Sequence, residues 1–364
     1  MLTFESENNS QRDDLWDILK GIGIFAVVVG HSGCPKPLLC FISAFHMPLF
    51  FIISGILLND LYFENKGLFV KKRMKSLYVP FVKWSIIFIL LHNLFFNLGV
   101  INALYGYAGE VDRQYSIYDI AYSLMVALIS MNTFEHLLGA LWFIKALFVG
   151  SILFVFLGAK LILKNRLFPG IVSILVFFFC LVNIIVINHF PLINFCEVRF
   201  VGHNEFFATF FISLGFLIKQ YIHHLRGLKI CVISGIFLLL ISQLGEVSMA
   251  PMMKNVLLLP VSAIGGFVLF FNVSCFLEKM HNWLVNLLKS MGRYSFYILL
   301  LHFLCFKVVS YFKVWLFGLD EAMIAEFPVI GLHNERFWIL YSLVGVLFSL
   351  GLGMVIDRIP FLRR

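Results

Sequence analysis

Residues 17–32 read DILKGIGIFAVVVGHS. The stretch is apolar enough to enter a bilayer, yet it carries Asp17 and Lys20 at one end and His31 at the other. A helix turns about 100° per residue, so eleven residues bring His31 back to within roughly 20° of Lys20, about 16 Å further along the axis. Asp17, Lys20, Ile24, Val27 and His31 therefore share one stripe of a helix. Ionisable groups inside a membrane are expensive to bury and mark functional sites by default. The rest of the chain bears out the membrane reading. Hydrophobic residues make up 61% of the sequence and charged residues only 13%, about half the share of a soluble domain. Repeated runs approach the roughly 20 apolar residues that a transmembrane helix needs. The expected architecture is all-α, a polytopic transmembrane helical bundle; a β-barrel would show alternating segments of roughly ten residues instead.

About ten spans can be read, near 15–33, 41–58, 79–98, 120–159, 171–187, 205–218, 230–245, 256–277, 295–312 and 337–356. The segment 120–159 is too long for a simple crossing and is expected to be one long or re-entrant span. Most Lys and Arg fall in alternate loops, at 66–75, 160–166, 219–229 and 278–293, and in the tail DRIPFLRR. The positive-inside rule puts those loops, and both termini, in the cytoplasm. This division accounts for the net charge of +8 without nucleic acid. Residues 1–11 and 358–364 read as polar tails around one membrane domain, 12–357. No cleavable leader is visible in MLTFESENNSQR. Cys34 and Cys40 flank one short loop and could pair in an oxidising compartment. No Cys/His spacing resembles a zinc site, and no metal is expected.

Several residues have both a structural and a chemical reading. His31 is either an interface histidine bonded to the backbone or a general base, a task that suits a group titrating near neutrality. Lys20 and Asp17 are either snorkelling charges or part of a site for an anionic ligand. His46 precedes the helix-kinking Pro48; if the first two spans form a hairpin, His31 and His46 meet at its outer end. Lys71, Lys72, Arg73 and Lys75 are either topogenic and lipid-facing charge or a grip on the phosphates of a cytoplasmic cofactor. Glu135, Trp142 and Lys145 lie on one helix face, and a lysine that deep needs a partner or a cavity. His302 falls near the bilayer centre and is either a core histidine or part of the same cavity. Arg293, at the cytoplasmic start of that span, reads as an anchor. The outer segment Glu197, Arg199, His203, Asn204 and Glu205 is either a solvated loop or a set of hydrogen-bond partners for a sugar.

Five motifs in this order are similar to the acyltransferase 3 family of integral membrane O-acyltransferases, with the closest flavour in its fucose-acetylase-like branch. They are D-x-x-K-G-I-G-I…V-V-x-G-H (Asp17 to His31), F-H-M-P-L-F-F-x-I-S-G (Phe45 to Gly55), K-K-R-x-K-x-L-x-x-P (Lys71 to Pro80), L-W-F-I-x-A-L (Leu141 to Leu147) and G-R-Y-S-F-Y-I-L-L-L-H (Gly292 to His302). The resemblance implies a protein of the bacterial inner membrane that takes an acetyl group from cytoplasmic acetyl-CoA. The acceptor it implies is a hydroxyl of a cell-envelope or exported carbohydrate across the bilayer. It places the family's basic residue and essential histidine on Lys20 and His31, as catalytic residues. Many members have Arg at the first position, and Lys cannot make the bidentate fork. It puts the CoA-facing element on Lys72, Arg73 and Lys75; a CoA arm reaching up between the helices would then pass Trp142, which could pack against it, and Lys145, which could stabilise charge along its path. Asp17, His46, Glu135 and His302 are left as substrate-binding or cavity residues. The competing reading is a transporter or flippase of a polysaccharide or lipid-linked sugar, which composition alone permits equally; such folds often show paired halves, and none is evident.

Overall fold

The computed structural model describes residues 14–106, 111–162, 168–186, 193–195, 198–249 and 254–363. The tail 1–11 and Glu197 lie outside them. Helix α1 (Asp14–His31) runs from a charged end, where Asp14 and Asp17 sit in its first turn, to the imidazole at its last. Ile18, Leu19, Ile24, Val27 and Val28 are all buried and Phe25 is exposed, so most of this helix lies inside the bundle.

The second span is broken. Helices α2 (Lys36–Ser43) and α3 (His46–Ile56) together cover one apolar crossing, Lys36–Ile56. Pro48 has no N–H to offer the carbonyl four residues back. That carbonyl, on Ala44, accepts a hydrogen bond from Ser262 Oγ instead. The break leaves His46 at the first turn of α3, its Nδ1–H donating to Ile42 O at 2.8 Å.

After a short turn of helix, α4 (Leu61–Glu64), the basic helix α5 (Lys66–Arg73) runs through a π-helical turn, Met74–Tyr78, into α6 (Val79–Asn97). Single π-turns inside helices recur at functional sites, and this one follows Arg73 directly. The region expected as one span at 120–159 is re-entrant. Helix α7 (Ile117–Ser130) opens with a capping box between Ser116 and Asp119 and ends at Met131 in the left-handed region. It descends beside α6 until Tyr78 OH donates to Leu128 O. The chain then returns extended: Phe134 stacks back on Tyr122, and Glu135 reaches His92 near the other end of α6. A 3-10 turn, His136–Leu141, leads into α8 (Trp142–Ile162). Non-helical backbone at membrane depth is tolerated where protein surrounds it; here Met131 and Glu135 are buried. A segment that enters and returns leaves the parity of crossings unchanged.

Helices α9 (Phe168–Val186), α10 (His203–Ile218), α11 (Leu228–Gln243) and α12 (Leu259–Leu277) follow, with a two-stranded hairpin, β1 (Ile193–Phe195) and β2 (Val198–Val201), between α9 and α10. The amphipathic α13 (Trp283–Arg293) precedes α14 (Ser295–Phe317) and α15 (Phe337–Ile356). Among the described residues six helical stretches are long and apolar enough to cross a membrane, and four shorter apolar helices accompany them. Outward-facing Leu90, Ile236, Phe276, Leu347 and Leu352 are exposed, an apolar belt suited to lipid. This is a multi-pass, all-α membrane fold.

Two reciprocal glycine contacts set the helices around α1 and α3. A Cβ on Gly21 would collide with the Leu288 carbonyl, and one on Gly292 with the Asp17 carbonyl, so α1 and α13 touch backbone to backbone. Gly55 and Gly215 do the same between α3 and α10. Small residues allow such approaches in membranes. The first contact brings Arg293 to the start of α1.

Candidate active site

The stripe read from the sequence lines a cavity. Lys20, Ile24 and Val27 form one wall of a 310 Å³ space closed by Met47, Phe50, Ser54, Phe143, Leu147 and Leu299. Its mouth is basic: Lys20, Lys72, Arg73 and Arg293 all border it, as do Ser76 and Leu77 of the π-turn. Its interior is largely apolar, and it ends one helical turn short of His31.

The cations at the mouth are held by neighbours. Arg73 Nη2 donates to Ser54 Oγ at 3.0 Å, and the guanidinium lies over the Phe69 ring. Lys72 Nζ donates to Tyr62 OH at 2.7 Å. Arg293 Nε donates to Asp17 Oδ2 and its Nη2 to Asp14 Oδ1, each at 3.2 Å. Asp17 is buried and also faces Lys20 Nζ at 3.8 Å. It therefore orients two cations of the mouth without lining the space itself. Arg293 is thus more than the anchor its position in the sequence suggests. The signal for the larger role is present in the sequence: two carboxylates opening an apolar helix require cations from elsewhere.

Beyond the far end of the cavity three imidazoles gather. The His31 and His302 rings are 5.5 Å apart and nearly parallel, and Phe303 packs its edge on His31 at 5.0 Å. His46 is the third ring in the electrostatic surroundings of His31. His302 is fully buried; its Nδ1–H is shared between the Ile298 and Leu299 carbonyls at 3.0 and 2.9 Å. Neutral imidazole has one N–H, so Nε2 of both His46 and His302 is an acceptor. The His302 Nε2 is buried and has no hydrogen-bond partner among the described residues. His31 is half-buried. The three rings do not form a metal-ligand cluster, and none occurs among the described residues.

The remaining expected residues are placed elsewhere. Lys75 is exposed outside the cavity wall. Trp142 packs beside Phe143, whose ring lines the cavity in its place. Lys145 is buried away from the cavity, with Nζ donating to Asn132 Oδ1 at 2.8 Å and facing Glu205 Oε1 at 3.8 Å. It thus ties the return limb of the re-entrant segment to α10, and Glu205 turns inward to it and not to an outer sugar. Glu135 pairs with His92: Nδ1 lies 3.0 Å from Glu135 Oε2, and Nε2 lies 2.8 Å from Arg113 O. The His92 ring thus has both nitrogens within hydrogen-bond distance of acceptors. Tyr115 stacks on it at 3.5 Å, and burial, with the Glu135 carboxylate nearby, pushes that phenol's pKa up. Cys34 and Cys40 are unpaired thiols. Burial pushes the Cys34 pKa up to about 11.

The sequence model of the acyltransferase 3 family, described as an acyltransferase domain, matches residues 14–358. The chain belongs to this family. The match is to the family as a whole and does not single out its fucose-acetylase-like branch. No curated protein and no solved structure matches. The cavity, its basic mouth and the imidazole cluster thus belong to a membrane acyltransferase of this family.

Proposed function

We propose that the protein is an O-acyltransferase that moves an acetyl group from acetyl-CoA to a hydroxyl of a cell-envelope or exported carbohydrate. The single observation that carries this reading is the continuity of the α1 stripe. Cations ring one end of an apolar cavity, and the other end stops one turn from a half-buried imidazole. Coenzyme A has the same polarity, with charged phosphates at one end and a thin, nearly neutral arm carrying the thioester at the other. Arg73, Lys72, Lys20 and Arg293 would hold the phosphates by charge-assisted bonds, and the arm would run along Ile24 and Val27. The positive-inside distribution supports a mouth that opens to the cytoplasm, with His31 toward the outer face.

In the chemical step His31 takes the proton of the acceptor hydroxyl as its oxygen attacks the thioester carbonyl. The carbon–sulfur bond breaks, and the imidazolium returns the proton to the departing thiolate. Proton transfer by a positioned group contributes typically 10²–10⁴-fold. His302, with its unpartnered Nε2, accepts a hydrogen bond from the His31 N–H as that ring gains charge, the part a third group plays in orienting a base. Replacing His31 by Ala, at unchanged membrane abundance, should abolish transfer of labelled acetyl groups from acetyl-CoA to carbohydrate. Retained transfer would overturn the assignment.

A further inference from the structure

His31 is half-buried but does not border the cavity that ends near it. Its accessible part therefore lies outside that cavity, at the end of α1 remote from the cations. What stands there belongs to four separate parts of the chain. Phe303, which packs on His31, is 4.6 Å from the Phe327 ring. Phe327 is in turn 5.9 Å from His136, and His136 Nδ1 is bonded to Asp112 Oδ2 at 2.9 Å. Gly139 is exposed between them, and a Cβ there would meet nothing closer than the Phe303 and Phe327 rings at 3.7 Å. Three hydrogen bonds tie described parts of the loops beside this space. Asn102 Nδ2 donates to Ala322 O, and the buried Lys307 donates to the Ile324 and Glu326 carbonyls. A wall this well held, carrying an aromatic face, a carboxylate–imidazole pair and a glycine gap, is more than the end of a helix bundle requires.

We propose that this vestibule is the acceptor subsite, and that it takes a pyranose ring. The apolar C–H face of the sugar lies on Phe327, its hydroxyls bond to the Asp112–His136 pair, and the reacting hydroxyl points past Gly139 to His31. This deepens the acyltransfer reading and rests on it. The sugar and the thioester then approach His31 from opposite sides, so neither has to pass the other.

Gly139 provides the test. In membranes, Gly139→Trp fills the gap. It should lower acetyl transfer to carbohydrate on the order of 100-fold, the scale of a misplaced reactant, while acetyl-CoA binding stays within twofold of wild type. Because Trp at this turn can disturb folding, Gly139→Cys is made as well and modified after folding with a small, charged, membrane-impermeant thiol reagent. Modification should cut transfer at least tenfold. A panel of methyl hexopyranosides should include at least one that protects the cysteine, and sorbitol, with hydroxyls but no ring face, should not protect. Transfer undiminished in both the Trp variant and the modified Cys variant would overturn the subsite. Equal protection by sorbitol, or protection by no pyranoside, would overturn the ring-stacking part. Wild-type membranes that move no label from acetyl-CoA to carbohydrate would instead overturn the underlying acyltransfer reading.

Discussion

Replacing Arg293 by Ala separates its two duties, which the geometry predicts to differ in size and in reversibility. The guanidinium makes two bonds of 3.2 Å, one to Asp14 and one to Asp17. The Asp14 partner is 39% exposed and Arg293 itself 44%, so solvent screens that pair to about 0–1 kcal/mol. Asp17 is 1% exposed, and a hydrogen bond to such a charge is worth about 1.5–3 kcal/mol. The full ~3–5 kcal/mol of an orphaned buried charge is not reached, because Lys20 remains 3.8 Å away. The stability loss should be about 2 kcal/mol, read by thermal unfolding in detergent. Adding Asp17→Asn should restore most of it, since no buried charge is then left short of a partner. Affinity behaves differently. Removing one phosphate-binding side chain from the mouth costs about 1.5–3 kcal/mol, a rise of roughly 10- to 150-fold in the KM for acetyl-CoA at 1.4 kcal/mol per decade. The lower figure is expected for a half-exposed side chain. Asp17→Asn should not restore it. An Arg293→Ala enzyme whose KM for acetyl-CoA stays within twofold of wild type would refute a phosphate-binding mouth that includes this residue.

Three other outcomes rest on named side chains. His302→Gln keeps an acceptor near His31 and should retain more kcat than His302→Leu, with little change in the KM for acetyl-CoA; equal kcat in the two variants would leave His302 a packing residue. Lys145→Met leaves the buried Glu205 carboxylate the Gly202 N–H at 2.7 Å but removes its cation, so the loss should fall short of the ~3–5 kcal/mol of an orphaned buried charge and be largely recovered in Lys145→Met/Glu205→Gln, as measured by unfolding midpoints; failure of the double variant to recover would mean that the pair does not hold α8 to α10. The Cys34 thiol, with its pKa pushed up to about 11 by burial, holds only about one part in a thousand as thiolate at pH 8, and thiolate is the reactive form. Its alkylation should be slow at neutral pH and rise about tenfold per pH unit until the pKa is reached. Rapid, pH-independent labelling would contradict the burial, and slow labelling keeps the background low for Gly139→Cys.

What the sequence reveals and what it hides divide along a physical line. The α1 stripe is legible because helical rotation is local: Lys20, Ile24 and Val27 must share a face whatever surrounds them, and they do line the cavity. The re-entrant character of 120–159 is legible from length, though not its form, which depends on Met131 turning left-handed and on Phe134 finding Tyr122. Helix-face reasoning then fails for Glu135, Trp142 and Lys145. It assumes one continuous helix, and Glu135 lies on the extended return limb while only Trp142 and Lys145 are on α8. Partner identity is hidden for a more general reason. In a soluble protein the polar face of a helix shows which side is out. In a membrane both the lipid face and the core face are apolar, so periodicity does not show which helix abuts which. Only the charged and aromatic groups break that degeneracy, and their partners are remote in sequence: Asp17 with Arg293, Lys145 with Glu205, His31 with His302 and Phe303. The same reasoning explains why the acceptor side is unreadable. Asp112, His136 and Phe327 come from three segments with no shared period, brought together by contacts remote in sequence, and they connect to His31 through Phe303. A site whose donor half lies along one helix and whose acceptor half is assembled from loops will always be half visible in its sequence.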